Sequence, residues 1–333
     1  MDEVPQAPRS VPEDHPWIRS IVAADISNAS KEQYIRNAVK LKSLAKGRSF
    51  EDILSHPKAM FKRIEAEYSS HQTRKAMVSA IKAIVKYNPG VKEKYPSHVE
   101  KWSEWFRELD RMITARVATA EPTERELVNW VDWKEVLQKQ HDMGSTEYAS
   151  SAHLLLSMYS LIEPIRADYG NIRIIQEGRE TPPTDANYIS LSRYSEKSKL
   201  VLHSYKTSRK YGVFERNLPD ELVSIIITSL TREPRHYLFI NDRSQPYDKK
   251  NSYTRFANRT FERIFGKKFT ISLLRHSFVS NIDFNESTPA KLFQHSKNMM
   301  HSIGTQQMYR RKVVPVLSVQ QLPETAKKRV FYV

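Results

Sequence analysis

The sequence predicts a mainly α-helical protein with one small antiparallel β-sheet, divided into a helical N-terminal domain and a second α+β domain. Three observations predict it. Apolar residues recur at helical spacing through about the first 115 positions. An aperiodic stretch with a central Pro122 follows at 116–124. Short runs of strand period then appear between 171 and 218, in a half that is otherwise helical again.

Residues 1–16 hold four prolines and several charges and read as a flexible lead-in. Regular structure is expected to begin near Ser27-Asn28-Ala29-Ser30, good N-cap residues ahead of a helix with Tyr34, Ala38, Leu41 and Ala45 on one face. A second helix follows Ser49 and ends near His56-Pro57, and a third runs from Pro57 to Tyr68. The next carries Met77, Ile81, Ile84 and Val85 and is stopped by Asn88-Pro89-Gly90. A helix over 96–113 presents Trp102, Trp105, Phe106 and Leu109. The domain boundaries that result are 17–115 for the helical domain, 116–124 for the linker and 125–333 for the second domain with a C-terminal tail.

Beyond the linker, helices carry Trp130, Trp133, Val136 and Leu137, then Leu154, Leu155, Met158, Tyr159 and Ile162. Strands are expected at 171–175, 188–192, 199–205 and 213–218, with 206–212 as a hairpin tip. Pro219 opens a helix with Leu222, Ile225, Ile226 and Leu230. Another holds Tyr253, Phe256, Phe261, Ile264 and Phe265, and further helical stretches lie around 272–281, 289–299 and 304–311.

Composition narrows the chemistry. The 333 residues suffice for two domains with their own cores, and 39% are hydrophobic. The net charge of +15 points to a polyanionic partner. About +6 falls in residues 1–120 and about +9 in the rest, so both halves are suited to touching one long polyanion. The chain has no cysteine, which excludes disulfides, thiolate catalysis and cysteine-ligated zinc. No Asp/Glu/His cluster has ligand spacing, so no metal is expected. No stretch is long enough to span a membrane, and the N-terminus lacks the features of a signal peptide. A soluble, intracellular protein is expected.

The candidate reactive residues come in an ordered set. Arg166 follows a predicted buried helix broken by Pro164, and Asp168 is placed to orient it. Lys206 sits on the hairpin tip with Arg209 and Lys210, any of which can supply the same cation. Arg275 and His276 follow the apolar run Ile271-Ser272-Leu273-Leu274, where a buried arginine needs an anion or a partner. His301 and Tyr309 are eight residues apart, with a turn expected at Gly304 between them. These groups suit metal-free attack on a phosphodiester. A free phenol has a pKa near ~10, and the pentacoordinate intermediate gathers negative charge. Arginines answer both problems by clamping the non-bridging oxygens and favouring the phenolate. A lysine can protonate the leaving oxygen, a role worth about 10²–10⁴ in rate.

In this order and spacing the chain resembles the tyrosine recombinase (phage-type integrase) family, over roughly residues 120–312. The family carries an arginine after a helix, a lysine on a β-hairpin, a His-x-x-Arg element, a late His or Trp and a C-terminal tyrosine. The resemblance implies that Arg166 and Arg275 are the two arginines, Lys206 the hairpin lysine, His301 the late histidine and Tyr309 the nucleophile. Tyr205-Lys206-Thr207 through Tyr211-Gly212, followed by a strand, Leu218-Pro219 and a helix, looks like the versions found in large DNA viruses and eukaryotic mobile elements. The N-terminal helices are similar to the core-binding domain of the family.

Three departures stand out. Ser272 replaces the first His of His-x-x-Arg, so one proton-transfer or phosphate-binding role is altered or moved, with His276 as the candidate. Asp168 follows Arg166 by two positions where the common pattern has three. His295-Ser296 duplicates His301-Ser302, and His301 is preferred for its interval to Tyr309. The resemblance implies a site-specific recombinase acting on double-stranded DNA through a 3′-phosphotyrosyl link, without nucleotide cofactor or metal. It implies a homotetramer on two sites, monomeric or dimeric in isolation. The expected location is the nucleus of a eukaryotic host, or the cytoplasm otherwise. The segments 313–319 and 327–329 are candidates for docking on a neighbouring subunit. Two alternatives keep the fold: a catalytically degenerate DNA-binding protein, and a type IB topoisomerase or telomere resolvase.

Overall fold

The computed structural model describes residues 15–313. The lead-in up to residue 14 and the tail from 314 onward, including 327–329, lie outside the described residues. The chain forms two compact units, one ending at Thr119 and the other beginning at Ala120.

The first unit is helical throughout: α1 (Pro16–Ala23), α2 (Asn28–Leu44), α3 (Phe50–Ser55), α4 (Pro57–Glu67), α5 (His71–Tyr87), α6 (Pro89–Lys94) and α7 (Pro96–Ala118). Proline occupies the first position of α1, α4, α6 and α7, where its missing N–H costs nothing. Ser27 caps α2 by accepting from Ser30 N, and Ser49 with Asp52 forms a capping box on α3. The core gathers Ile18, Ile21, Leu41, Ile64, Val78, Ile81 and Trp102. Trp102 donates its indole N–H to Leu54 O at 3.3 Å, joining α7 to α3.

Three expectations change here. Regular structure starts at Pro16 rather than near Ser27, because Ile18 and Ile21 give α1 a buried face. Asn88-Pro89 ends α5 but also starts α6, since proline that cannot continue a helix can begin one. The helix expected to end near residue 113 continues to Ala118, so the first part of the 116–124 stretch is helical.

The second unit contains α8 (Glu124–Val128), α9 (Trp133–Thr146) and α10 (Ser151–Ser160), then β1 (Arg173–Gln176), β2 (Tyr188–Leu191) and β3 (Lys199–Leu202). After β3 come α11 (Ser208–Tyr211), β4 (Phe214–Asn217), α12 (Asp220–Arg232), α13 (Lys250–Phe265), α14 (Ile271–Asn281), α15 (Pro289–Asn298) and α16 (Ile303–Tyr309). The mainly helical fold class with one small sheet is as expected. The sheet has strand order β1-β2-β3-β4. β2, β3 and β4 pair antiparallel, but β1 pairs β2 in parallel, with Arg173 opposite Tyr188, so the sheet is mixed. The direction of β1 is set by the crossover at 177–187, which strand periodicity does not encode. The hairpin tip contains one turn of helix, α11, closed by Gly212 at φ +70°.

α10 is the centre of this unit. All ten of its residues but Ser151 are buried, which explains why its sequence is apolar on every side. Each fully buried Leu or Met there contributes about 1.5–3 kcal/mol by leaving water. Its buried Tyr159 reaches out of the core to donate to Arg166 O at 3.1 Å, so the core directly supports the next turn of chain.

Candidate active site

Five elements converge around the end of α16. Pro164 ends the helical run, and the chain at 161–166 turns away from α10. Arg166 leaves this turn and donates from Nη1 to Met300 O at 3.2 Å. Thr207, on the loop that carries Lys206, donates its hydroxyl to the same oxygen at 3.3 Å. A carbonyl oxygen has two lone pairs, and here both serve the site. Met300 adopts φ +54°, a conformation costing about 1–3 kcal/mol for a side-chain-bearing residue, so the surrounding structure holds it there.

α14 begins at Thr270, whose side chain caps Leu273 N. It carries Arg275 inward until the residue is 1% exposed. The guanidinium donates from Nη1 to Pro164 O at 2.6 Å and from Nη2 to His301 Nδ1 at 3.2 Å, and lies 4.8 Å from the centroid of the Tyr309 ring. None of these three contacts is a carboxylate. Burying a cation this deeply costs several kcal/mol unless charge of opposite sign is supplied, and the ionised form of Tyr309 can supply it.

His301 follows Met300 and is 6% exposed. Burial, then the charges of Arg275 and Arg166, press its pKa down to about 3, so it is neutral at pH 7. Its Nδ1 accepts from Arg275, which places the ring proton on Nε2. Nε2 has no hydrogen-bond partner among the described residues, leaving a donor beside Tyr309. The two rings are 5.5 Å apart. His276 is also neutral, its pKa lowered to about 4 by burial and by Arg311. Its Nδ1 is 2.7 Å from Tyr309 O, where it must donate, and the rings are 4.7 Å apart.

Tyr309 is the last residue of α16, a helix capped by Ser302, which accepts from Thr305 N. Burial would raise its pKa. The charges of Arg275 and Arg166, a hydrogen bond from Arg275 and the charge of Lys206 together outweigh burial and lower it. The phenol therefore ionises more readily than a free one.

The structure thus brings Arg166, Lys206, Arg275, His276 and His301 around Tyr309. It places the other candidates elsewhere. Arg209 and Lys210 are exposed on α11, with Lys210 over the Tyr211 ring at 5.2 Å. Ser272 is exposed in the first turn of α14, lining a cavity of about 110 Å³ with Lys268, Arg125 and His276. Asp168 lies near the buried phenols of Tyr159, Tyr169 and Tyr253, whose pKa values burial raises and its charge raises a little further. His295, the duplicate of His301, is 3.0 Å from Glu163, which also pairs with Arg216 and accepts from Asn298. That network separates the two histidines, which sequence spacing alone ranks only weakly.

Sequence reasoning gave no site contact to Met300, Thr207 or Pro164, and Met300 and Pro164 act through backbone carbonyls. It also missed Glu126 and Arg311. The Thr123-x-x-Glu126 pattern signals a capping box, which does form, but not the ion pair with Arg311 at 3.1 Å. Among the described residues no group of three or more His, Asp or Glu side chains is arranged to hold a metal ion, and no helix is long and apolar enough to cross a membrane.

The sequence matches no protein-family model, and no curated protein matches it. Among solved structures, the fold is similar to the crystal structure of XerA recombinase, at 14% identity and a TM-score of 0.40, over 92% of this chain and 97% of that one.

Proposed function

We propose that this protein is a site-specific DNA recombinase of the tyrosine type, with Tyr309 as nucleophile. The Tyr309 phenolate attacks a phosphorus of the DNA backbone, forming a 3′-phosphotyrosyl bond as the bond to the 5′ oxygen breaks. The phenol's proton goes to solvent. Lys206 gives a proton to the departing 5′ oxygen. Arg275 and Arg166 neutralise the non-bridging oxygens, and His301 donates from Nε2. A 5′ hydroxyl from a partner strand then displaces Tyr309 and reforms a phosphodiester. The bond energy is conserved through the covalent link, so no nucleotide is consumed.

The observation that carries this proposal is the deeply buried Arg275 guanidinium, held by a carbonyl and an imidazole and packed on a tyrosine whose ionisation is favoured by three cations. Such an arrangement suits a passing anion better than a permanent structural partner. Arg275 and Tyr309 meet within one chain, which favours cleavage in cis. Double-stranded DNA as substrate, four copies on two sites, and integration or excision of a viral or mobile genome complete the proposal. The first unit is assigned the role of gripping DNA away from the scissile phosphate.

The test uses a pool of nicked duplexes with randomised flanks, incubated with the protein and denatured. A covalent protein–DNA complex is expected, with the DNA mapped by mass spectrometry to Tyr309 and lost in Tyr309→Phe. No covalent complex from any duplex, or an adduct that survives in Tyr309→Phe, overturns the proposal.

A further inference from the structure

The backbone at the end of α16 is held by two side chains, His276 and Arg311. His276 Nδ1 donates to Tyr309 O at 2.7 Å. Arg311 donates from Nη1 to both Met308 O and Arg310 O at 2.9 Å. Three successive carbonyls at a helix C-terminus, normally left to water, are therefore fixed by two side chains. Arg311 is in turn forked onto Glu126, with Nη2 at 3.1 Å from Oε1 and Nε at 3.3 Å from both carboxylate oxygens. Its Nη2 is also 3.4 Å from His276 Nε2, which can only accept once Nδ1 donates, so Arg311 fixes the tautomer that holds Tyr309. Arg311 N donates to Ser280 on α14 at 2.8 Å, and Lys312 N to Ala120 O at 2.7 Å.

We infer that Glu126 is a positioning residue for Tyr309, acting through Arg311 and His276 to set where the phenol stands against Arg275 and Arg166. The carboxylate is the part of this clamp that makes it specific. It is itself fixed, because Oε2 accepts from Thr123 N at 2.7 Å in the capping box of α8. Without its charge Arg311 loses the partner that directs its fork, and its hold on both α16 and the His276 tautomer loosens. A shift of about 1 Å in a reacting atom costs on the order of 10² in rate. The carboxylate lies in the first seven residues of the second unit, directly after the last residue of the first. Tyr309 is thus tied to the first residues of the second unit.

This inference rests on the proposed role of Tyr309, so its test reads the phenol both with and without DNA. Glu126→Gln keeps the shape and an acceptor for Thr123 N but removes the charge. NMR of ring-labelled tyrosine, with Tyr309 identified by its absence in Tyr309→Phe, follows the phenol's titration in the free protein. In Glu126→Gln the titration is expected to move up towards that of an ordinary tyrosine, and covalent adduct formation to slow by about tenfold to a hundredfold at unchanged DNA affinity. Arg311→Lys keeps the charge but not the fork, and is expected to show the same change more weakly; it carries the test if Glu126→Gln does not fold. Glu163→Gln, which breaks a different buried network in the same unit, is expected to leave the Tyr309 titration in place. An unmoved titration in both Glu126→Gln and Arg311→Lys overturns the inference, as does an equal shift in Glu163→Gln. A moved titration in a protein that never forms an adduct supports the clamp and counts against the recombinase proposal alone.

Discussion

The guanidinium carbon of Arg275 lies 4.8 Å from the centroid of the Tyr309 ring, so a cation almost wholly shut off from water rests on the phenol. Two half-buried arginines of this unit have carboxylate partners: Arg216 pairs with Glu163 and Arg311 with Glu126. Arg275 instead donates to a carbonyl and an imidazole, neither of which carries a negative charge. Folding has placed a charge where it costs stability and, under the proposed function, where a phosphate would gain most from it.

That imbalance predicts opposite effects on stability and activity. Methionine fills a similar volume without the charge. Arg275→Met is therefore expected to leave the melting temperature unchanged or raised, because the desolvation penalty disappears along with two hydrogen bonds. Covalent adduct formation is expected to fall by at least about 10². Thermal melts beside the adduct assay check it. A variant that cleaves within a few-fold of the parent would falsify the role given to Arg275.

The ionisation of Tyr309 predicts a pH profile. Burial raises its pKa, and the charges of Arg275, Arg166 and Lys206 pull it below the ordinary value. Removing one of those charges must raise it again. In Arg166→Gln the rise of cleavage rate with pH is expected to occur at higher pH than in the parent. Lys206→Gln is expected to shift it less, since Lys206 is exposed and its influence on the phenol is the weakest of the three. Cleavage rate against pH measures both, and a profile that Arg166→Gln does not move would remove the arginine from the phenol's field.

Much of this architecture is legible in the sequence because it is local. Ser27 and Ser49 announce their helices by capping chemistry, and each caps the helix that follows it. Arg275 is conspicuous because its neighbours Leu273 and Leu274 demand burial. The parts that stay hidden depend on chain paths between distant residues. Nothing near Arg173 says that β1 runs parallel to β2. The Met300 carbonyl that joins Arg166 to Thr207 has no side-chain signature at all. Arg311 resembles any basic residue in a basic tail until Glu126, 185 positions away, is found beside it.

Thr207 predicts how the lysine loop is coupled to the arginines. Its hydroxyl shares Met300 O with Arg166, which ties the residue next to Lys206 to the residue before His301. Thr207→Val keeps the shape and loses that bond, worth about 1 kcal/mol in stability. Cleavage is expected to slow by about tenfold through loss of Lys206 placement. With Lys206→Ala as background the same substitution should cost little more, because the proposed general acid is already gone. A full additional loss in the double variant would mean that Thr207 acts on something other than Lys206.

His301 and His276 predict how the second unit responds to acid. Their folded pKa values are about 3 and about 4, against 6.5 in the unfolded chain. Both are depressed, so the unfolded state binds more protons between those values. Their contribution is fully present above pH 6.5 and is lost as pH falls towards 4. Each unit of pKa difference corresponds to about 1.4 kcal/mol, so the pair removes on the order of 6 kcal/mol over that interval. Burial is the main cause of the loss, and protonating His301 would also set a second cation against Arg275 at 3.2 Å. His153 is lowered in the same sense and adds to the slope, whereas the depressed carboxylates Glu126 and Glu163 matter only below their ordinary value of 4.5. Denaturant unfolding from neutral pH down to about 4.5 should show this decline, and His301→Asn should flatten it by roughly one proton's worth. An unchanged slope in His301→Asn would mean that the imidazole is already protonated, or stays solvated, in the folded protein.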